Sequence, residues 1–102
     1  MYELEYLPIA QQDMVEIVKY ISHEHCNPVA AKKLSHEMIE AADRLTAFPY
    51  SNAIHATIRP LKQEYRKLLV KNHIMFYWVN EKTKIVTIAR VLYAHSDYEK
   101  LL

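Results

Sequence analysis

EYRKLLVKNHIMFYWVNEKTKIVTIARVLY, residues 64–93, is the stretch that decides the fold. Its apolar residues recur with a period of two in three runs: EYRKLLV, HIMFYWV and KIVTIARVLY. That is strand spacing, not helix spacing. The links KN and NEKT are short enough to join only antiparallel neighbours. The spacing therefore predicts a three-stranded antiparallel meander. Both faces of these strands are apolar, with Tyr65, Leu69, Met75, Tyr77 and Val79 alternating with Leu68, Val70, Ile74, Phe76 and Trp78. A single layer of helices covers one sheet face. The sheet is then expected either to curl over itself or to be covered on its second face by another chain. Phe76 and Trp78, on the central strand, read as core. Two arginines, Arg66 and Arg90, interrupt the apolar runs, and each needs a reason to be there.

Working outward, residues 2–7 (YELEYL) alternate and read as a first strand. Pro8 suits the first turn of a helix, where its missing N–H costs nothing. Ala10, Met14, Ile17 and Ile21 then recur at helical steps. Asn27-Pro28 restarts the pattern, with Asn as N-cap, and the second helix carries Leu34, Met38, Ala41, Leu45 and Phe48 on one stripe until Pro49 stops it. Two such helices on a short connection make an antiparallel hairpin. A loop through Asn52 and Pro60 leads into the meander, and DYEKLL (97–102) reads as a closing helical turn. The expected architecture is α+β in one domain, 1–102: strand, antiparallel helical hairpin, three-stranded meander, short C-terminal helix.

Composition excludes several classes of function. With no glycine in 102 residues, neither a P-loop nor a dinucleotide-binding glycine fingerprint is present. Turns are expected to rely on Asn and Pro, since Asn tolerates the left-handed conformation best among the other residues. The single Cys26 allows no internal disulfide and reads as a small residue near a helix end. The six histidines lack the paired spacing of a zinc site, so no metal or cofactor is expected, and His23 and His25 read as exposed residues at a helix C-terminus. No apolar run approaches a membrane span, and MYELEYLPIAQQ lacks the basic start of a secretory signal. A cytoplasmic protein without membrane contact is the simplest expectation.

The formal charge of +1 conceals an asymmetry. Residues 1–58 carry a net −4, whereas residues 59–95 carry +6, from Arg59, Lys62, Arg66, Lys67, Lys71, Lys82, Lys84 and Arg90 against Glu64 and Glu81. Lys71, Lys82 and Lys84 lie beside turns and read as solvated edge residues. The remaining cations suggest an anionic partner for this half.

The order of elements, together with LPIAQQDMVEIVKYI, LTAFP, EYRKLLVKNHIMFYWV and IARVLYAHSDYEKLL, resembles the RelE/ParE family of toxins from type II toxin–antitoxin pairs. The resemblance spans essentially the whole chain. It implies a small α+β toxin neutralised by a cognate antitoxin, which commonly wraps the toxin with a helix or strand. It also implies one of two activities. RelE-like members cleave messenger RNA without metal, usually on the ribosome, whereas ParE-like members poison DNA gyrase and have no known hydrolytic site. Fold alone does not choose between them.

Metal-free RNA cleavage requires a base for the 2′-hydroxyl, cations for the pentacoordinate phosphate and an acid for the leaving oxygen. The resemblance places Arg66 and Arg90 in one concave pocket as the phosphate clamp, a task suited to arginine's planar fork. It places His95 as a proton-transfer residue just past the last strand, with Tyr98 beside it, and Lys62 in the region of a catalytic lysine. Arg59 and Lys67 would contact the RNA backbone. Messenger RNA cleavage, with growth arrest through halted translation, is the favoured expectation, because relatives labelled ParE often carry arginine where this chain has His95. Gyrase poisoning is the alternative.

Overall fold

In a computed structural model of the chain, which describes residues 1–56 and 63–102, the period-two runs form strands and the amphipathic runs form helices. β1 spans Glu3–Tyr6, α1 Pro8–Lys19, α2 Pro28–Asp43, β2 Arg66–Val70, β3 His73–Asn80 and β4 Ile85–Tyr93. A 3-10 turn over Tyr98–Leu101 closes the chain. Pro8 opens α1, and Asn27 caps α2 by accepting the N–H of Ala30 at 3.1 Å. Between them α1 continues into a π-helical turn over Tyr20–Glu24, and His23 and His25 are exposed there.

Two local expectations are corrected. Phe48 does not join the core stripe of α2. The helix ends at Asp43, a tighter 3-10 turn over Arg44–Thr46 breaks the 3.6-residue period, and Phe48 falls beyond it, 69% exposed. The left-handed turn positions do not fall on asparagine. Cys26, Lys71 and Lys84 hold them, with φ of 49°, 55° and 59°. Asn80 serves its turn through its side chain instead, accepting the N–H groups of Lys82 and Thr83 at 3.0 and 3.2 Å.

The sheet has the order β1-β4-β3-β2; the meander is antiparallel, and β1 returns to pair parallel with β4. The helical hairpin covers one face, where Ala10, Met38, Ala41, Leu45, Met75, Tyr77, Val86 and Ile88 form the core. On the other face Ile74, Phe76 and Leu92 are covered by Tyr65, Ala94, Tyr98 and Leu102. The C-terminal tail thus folds back over the middle of the second face, while Leu69, paired with Ile74 on that face, stays 65% exposed. Phe76 is fully buried, and Trp78 is half-buried at the border of that face.

Between β3 and β4 the register slips by one residue: Tyr77 pairs with Ile88, but Phe76 pairs with Arg90, so Ala89 is bulged. Without the bulge Arg90 would point to the same face as Ile88, into the helix-side core. With it, Arg90 stands beside Phe76 on the tail side. The bulge is what lets an arginine occupy a strand that otherwise reads as core.

Candidate functional site

Arg66 and Arg90 are not brought into one pocket. Arg66 pairs with Tyr77 and Arg90 with Phe76, and consecutive residues of a strand point to opposite faces. The surroundings agree. Arg66 Nη1 donates to the Asn52 carbonyl at 2.7 Å, and its guanidinium lies 4.9 Å from the Tyr50 ring centroid. Tyr77 belongs to the same neighbourhood, its hydroxyl donating to the Pro49 carbonyl at 2.8 Å. Arg90 instead meets α1 and the tail. Its Nε and Nη2 donate to the two carboxylate oxygens of Asp13 at 2.8 and 2.9 Å, and Nη1 donates to the Leu101 carbonyl at 3.2 Å. Asp13 also accepts the Val91 N–H at 3.0 Å, occupying the edge of β4 beyond the end of β1. These hydrogen bonds to Asp13, opposed in part by burial, raise the pKa of Arg90 further and keep it charged.

His95 and Tyr98 also separate. His95 is exposed, edge-on to Tyr93 at 5.2 Å. Tyr98 lies in the tail against Phe76 at 5.3 Å and His55 at 5.8 Å. Lys67 is half-buried on β2 opposite Phe76, on the tail side. Arg59 and Lys62 lie outside the described residues.

His55 was not singled out by the sequence. It sits in a loop between Ile54 and Ala56, where no periodicity signals burial, yet it is 8% exposed. Its ring packs edge-on against Phe76 at 5.2 Å, and Nε2 lies 3.3 Å from Glu99 Oε1. Burial, and secondly the charge of Lys67, lower its pKa below the ordinary 6.5, while Glu99 pulls the other way. The tail side therefore gathers an imidazole, an ammonium and a phenol around Phe76, and among the described residues no free arginine fork is aimed at them. Asp13 was also missed; on the polar side of an amphipathic helix it reads as an ordinary solvated carboxylate.

A third polar group joins the strand ends on the Arg66 side. Glu81 accepts from the Tyr2 hydroxyl at 2.6 Å and also from the Tyr50 hydroxyl and Lys84 Nζ. Lys84, Tyr2 and Tyr50 together hold the Glu81 carboxyl down at about 2, and Glu81 pushes the Tyr50 phenol up to about 12. Among the described residues no group of three or more His, Cys, Asp or Glu side chains could hold a metal ion, and no helix is long and apolar enough to cross a membrane.

A helical hairpin on one face of a mixed four-stranded sheet, with the first strand returning beside the last and a tail across the other face, defines a class of small α+β proteins. Residues 4–98 match the family described as the ParE toxin of the type II toxin-antitoxin system, parDE. The chain belongs to that family, and is a type II toxin of the ParE/RelE kind. Among solved structures it is similar to a chain of the chromosomal ParDE system from P. aeruginosa, with a TM-score of 0.74 at 18% identity, covering 93% of this chain and 98% of that one. It is also similar to a chain of the RelBE2 toxin-antitoxin complex from Mycobacterium tuberculosis (TM-score 0.62, 16% identity, covering 90% and 96%). A chain of the archaeal RelE-RelB complex from Pyrococcus horikoshii OT3 gives a TM-score of 0.61 at 13% identity, covering 92% and 96%. At such identities these likenesses show a shared α+β fold. Among curated protein sequences none is significantly similar to this chain.

Proposed function

We propose that this toxin acts in the ParE manner, poisoning DNA gyrase through surface contacts without cutting RNA, and that it is held inactive in the cytoplasm by a cognate antitoxin. The observation that carries the reading is the separation of Arg66 from Arg90. A phosphate clamp needs both forks on one phosphate, whereas these two lie on opposite faces and Arg90 spends its fork on Asp13. Membership in the ParE family and the likeness to the ParDE chain support the same choice. The antitoxin is supported by the likeness to chains of the ParDE system and of the RelBE2 and RelE-RelB complexes.

Metal-free messenger RNA cleavage is the second reading. The observation favouring it is the grouping of His55, Lys67 and Tyr98 around Phe76, which would supply acid–base groups without the arginine clamp. One experiment separates the two. After induction of the toxin, gyrase-dependent DNA breaks with intact transcripts are expected, and His95→Ala should leave toxicity unchanged. Transcripts cut to 2′,3′-cyclic or 3′-phosphate ends, with no DNA breaks, would replace this reading by the second.

A further inference from the structure

Where the tip of the helical hairpin meets the end of the sheet, a cleft of about 660 Å³ opens between Ile17, Tyr20 and Ile21 on one side and His73 and Tyr93 on the other. Past Ile21 and His73 it continues along α2 as a second hollow of about 270 Å³. None of the residues assigned above to the two arginine neighbourhoods or to the tail lines it. Three of the six histidines gather here. His25 lies edge-on to Tyr20 at 4.9 Å, His73 lies 5.7 Å from Tyr93, and His95 approaches the same Tyr93 ring. His73 is the unusual one, because its buried Nδ1 has no hydrogen-bond partner among the described residues.

We propose that this cleft seats an apolar, acid-flanked segment of the antitoxin, and that His73 makes the seat acid-labile, holding the segment while the imidazole is neutral and releasing it on protonation. The proposal rests on the toxin reading above. The occupant follows from the walls and the rim. Ile17, Ile21, Tyr20 and Tyr93 offer apolar and aromatic surface, and both tyrosines are left exposed. Lys33 edges the hollow along α2 beside the Lys71–Glu37 pair, leaving it one net positive charge that an acidic flank complements.

The switch follows from what faces His73. From α1 comes Glu16, which already accepts from Gln12 Nε2 at 3.3 Å. From α2 come Lys33 and Glu37, the latter 3.9 Å from Lys71 of the adjoining turn. Tyr20 and His25 face it from the hairpin tip, and Tyr93 from β4, with His95 behind. Among the described residues no carboxylate pairs with His73, so a proton on it would go unmatched. Burial already lowers its pKa. An apolar occupant would dehydrate it further, so the complex would bind fewer protons than the free toxin. Association must then weaken as pH falls through the free imidazole's pKa, below the ordinary 6.5.

The test uses the toxin co-expressed and purified with its cognate antitoxin. The wild-type complex is expected to dissociate several-fold faster at about pH 5.5 than at about pH 7.5, below the roughly tenfold ceiling that an ordinary imidazole pKa of 6.5 would set. The His73→Phe and His73→Gln complexes should show little difference between the two. In the NMR spectrum, the His73 imidazole signals should move on complex formation and titrate lower than in the free toxin. A pH-independent wild-type complex would overturn the proposal, as would variants as acid-labile as the wild type. So would His73 signals unmoved by the antitoxin, or an affinity that rises toward acid and reveals a partner carboxylate on the imidazole. If no antitoxin neutralises the toxin, the toxin reading and this proposal fall together. If one neutralises it but the complex is insensitive to pH, only this proposal falls.

Discussion

Asp13 on α1 holds Arg90 on β4 through two parallel hydrogen bonds of 2.8 and 2.9 Å, and takes the Val91 N–H with the same carboxylate. Both side chains are largely buried, at 12% and 16% exposure. Removing one partner leaves a charge without its match. Asp13→Ala is expected to cost on the order of 3 kcal/mol, read from the urea midpoint. The paired Asp13→Leu/Arg90→Leu variant should recover most of that loss, since replacing a buried pair by apolar groups is often neutral. If toxicity returns with stability in the double variant, Arg90 acts only through the fold. A stable double variant with no toxicity would assign Arg90 a contact with the target.

Lys71 bears a Cβ in a conformation that glycine adopts freely, at φ 55°. The left-handed region costs a non-glycine residue about 1–2 kcal/mol, partly offset by the entropy glycine loses on folding. Lys71→Gly should therefore stabilise the protein by about 0.5–1 kcal/mol, visible as a higher Tm. At Lys84 the same change should gain less, because its ammonium is engaged by Glu81. An unchanged or lower Tm for Lys71→Gly would show that its exposed pair with Glu37 outweighs the backbone term.

Glu81 joins the segment before β1, the loop after α2 and the β3–β4 turn through Tyr2, Tyr50 and Lys84. Its folded pKa of about 2 lies below the ordinary 4.5, so its contribution is complete above pH 4.5 and is lost as pH falls toward 2. Denaturation midpoints should drop across that window in the wild type and drop less in Glu81→Gln. Parallel pH profiles for the two proteins would show that the cluster does not couple to folding.

Tyr98 packs its ring on Phe76 and His55, and its hydroxyl makes no hydrogen bond among the described residues. Tyr98→Phe should keep both stability and toxicity. Tyr98→Ala should cost roughly 2–3 kcal/mol and expose the Ile74, Phe76 and Leu92 patch to a hydrophobic dye. Lost toxicity in a stable Tyr98→Phe protein would return the phenol to a chemical role.

The element types were legible from the chain alone because they depend on near neighbours. A period of two fixes strands wherever it occurs, Asn27-Pro28 caps a helix by a contact three residues long, and KN and NEKT can close only antiparallel hairpins. The α+β layout and the family resemblance followed from that order. Tertiary structure decided which groups meet. The Ala89 bulge turns Arg90 to the face opposite Arg66, and a one-residue slip leaves no mark on apolar alternation. Asp13 finds Arg90 across 77 positions, and His55 is packed against Phe76 of the sheet and Tyr98 and Glu99 of the tail. Local physics sets period, caps and turns, whereas the partner of a charge or an imidazole is set by packing between distant segments.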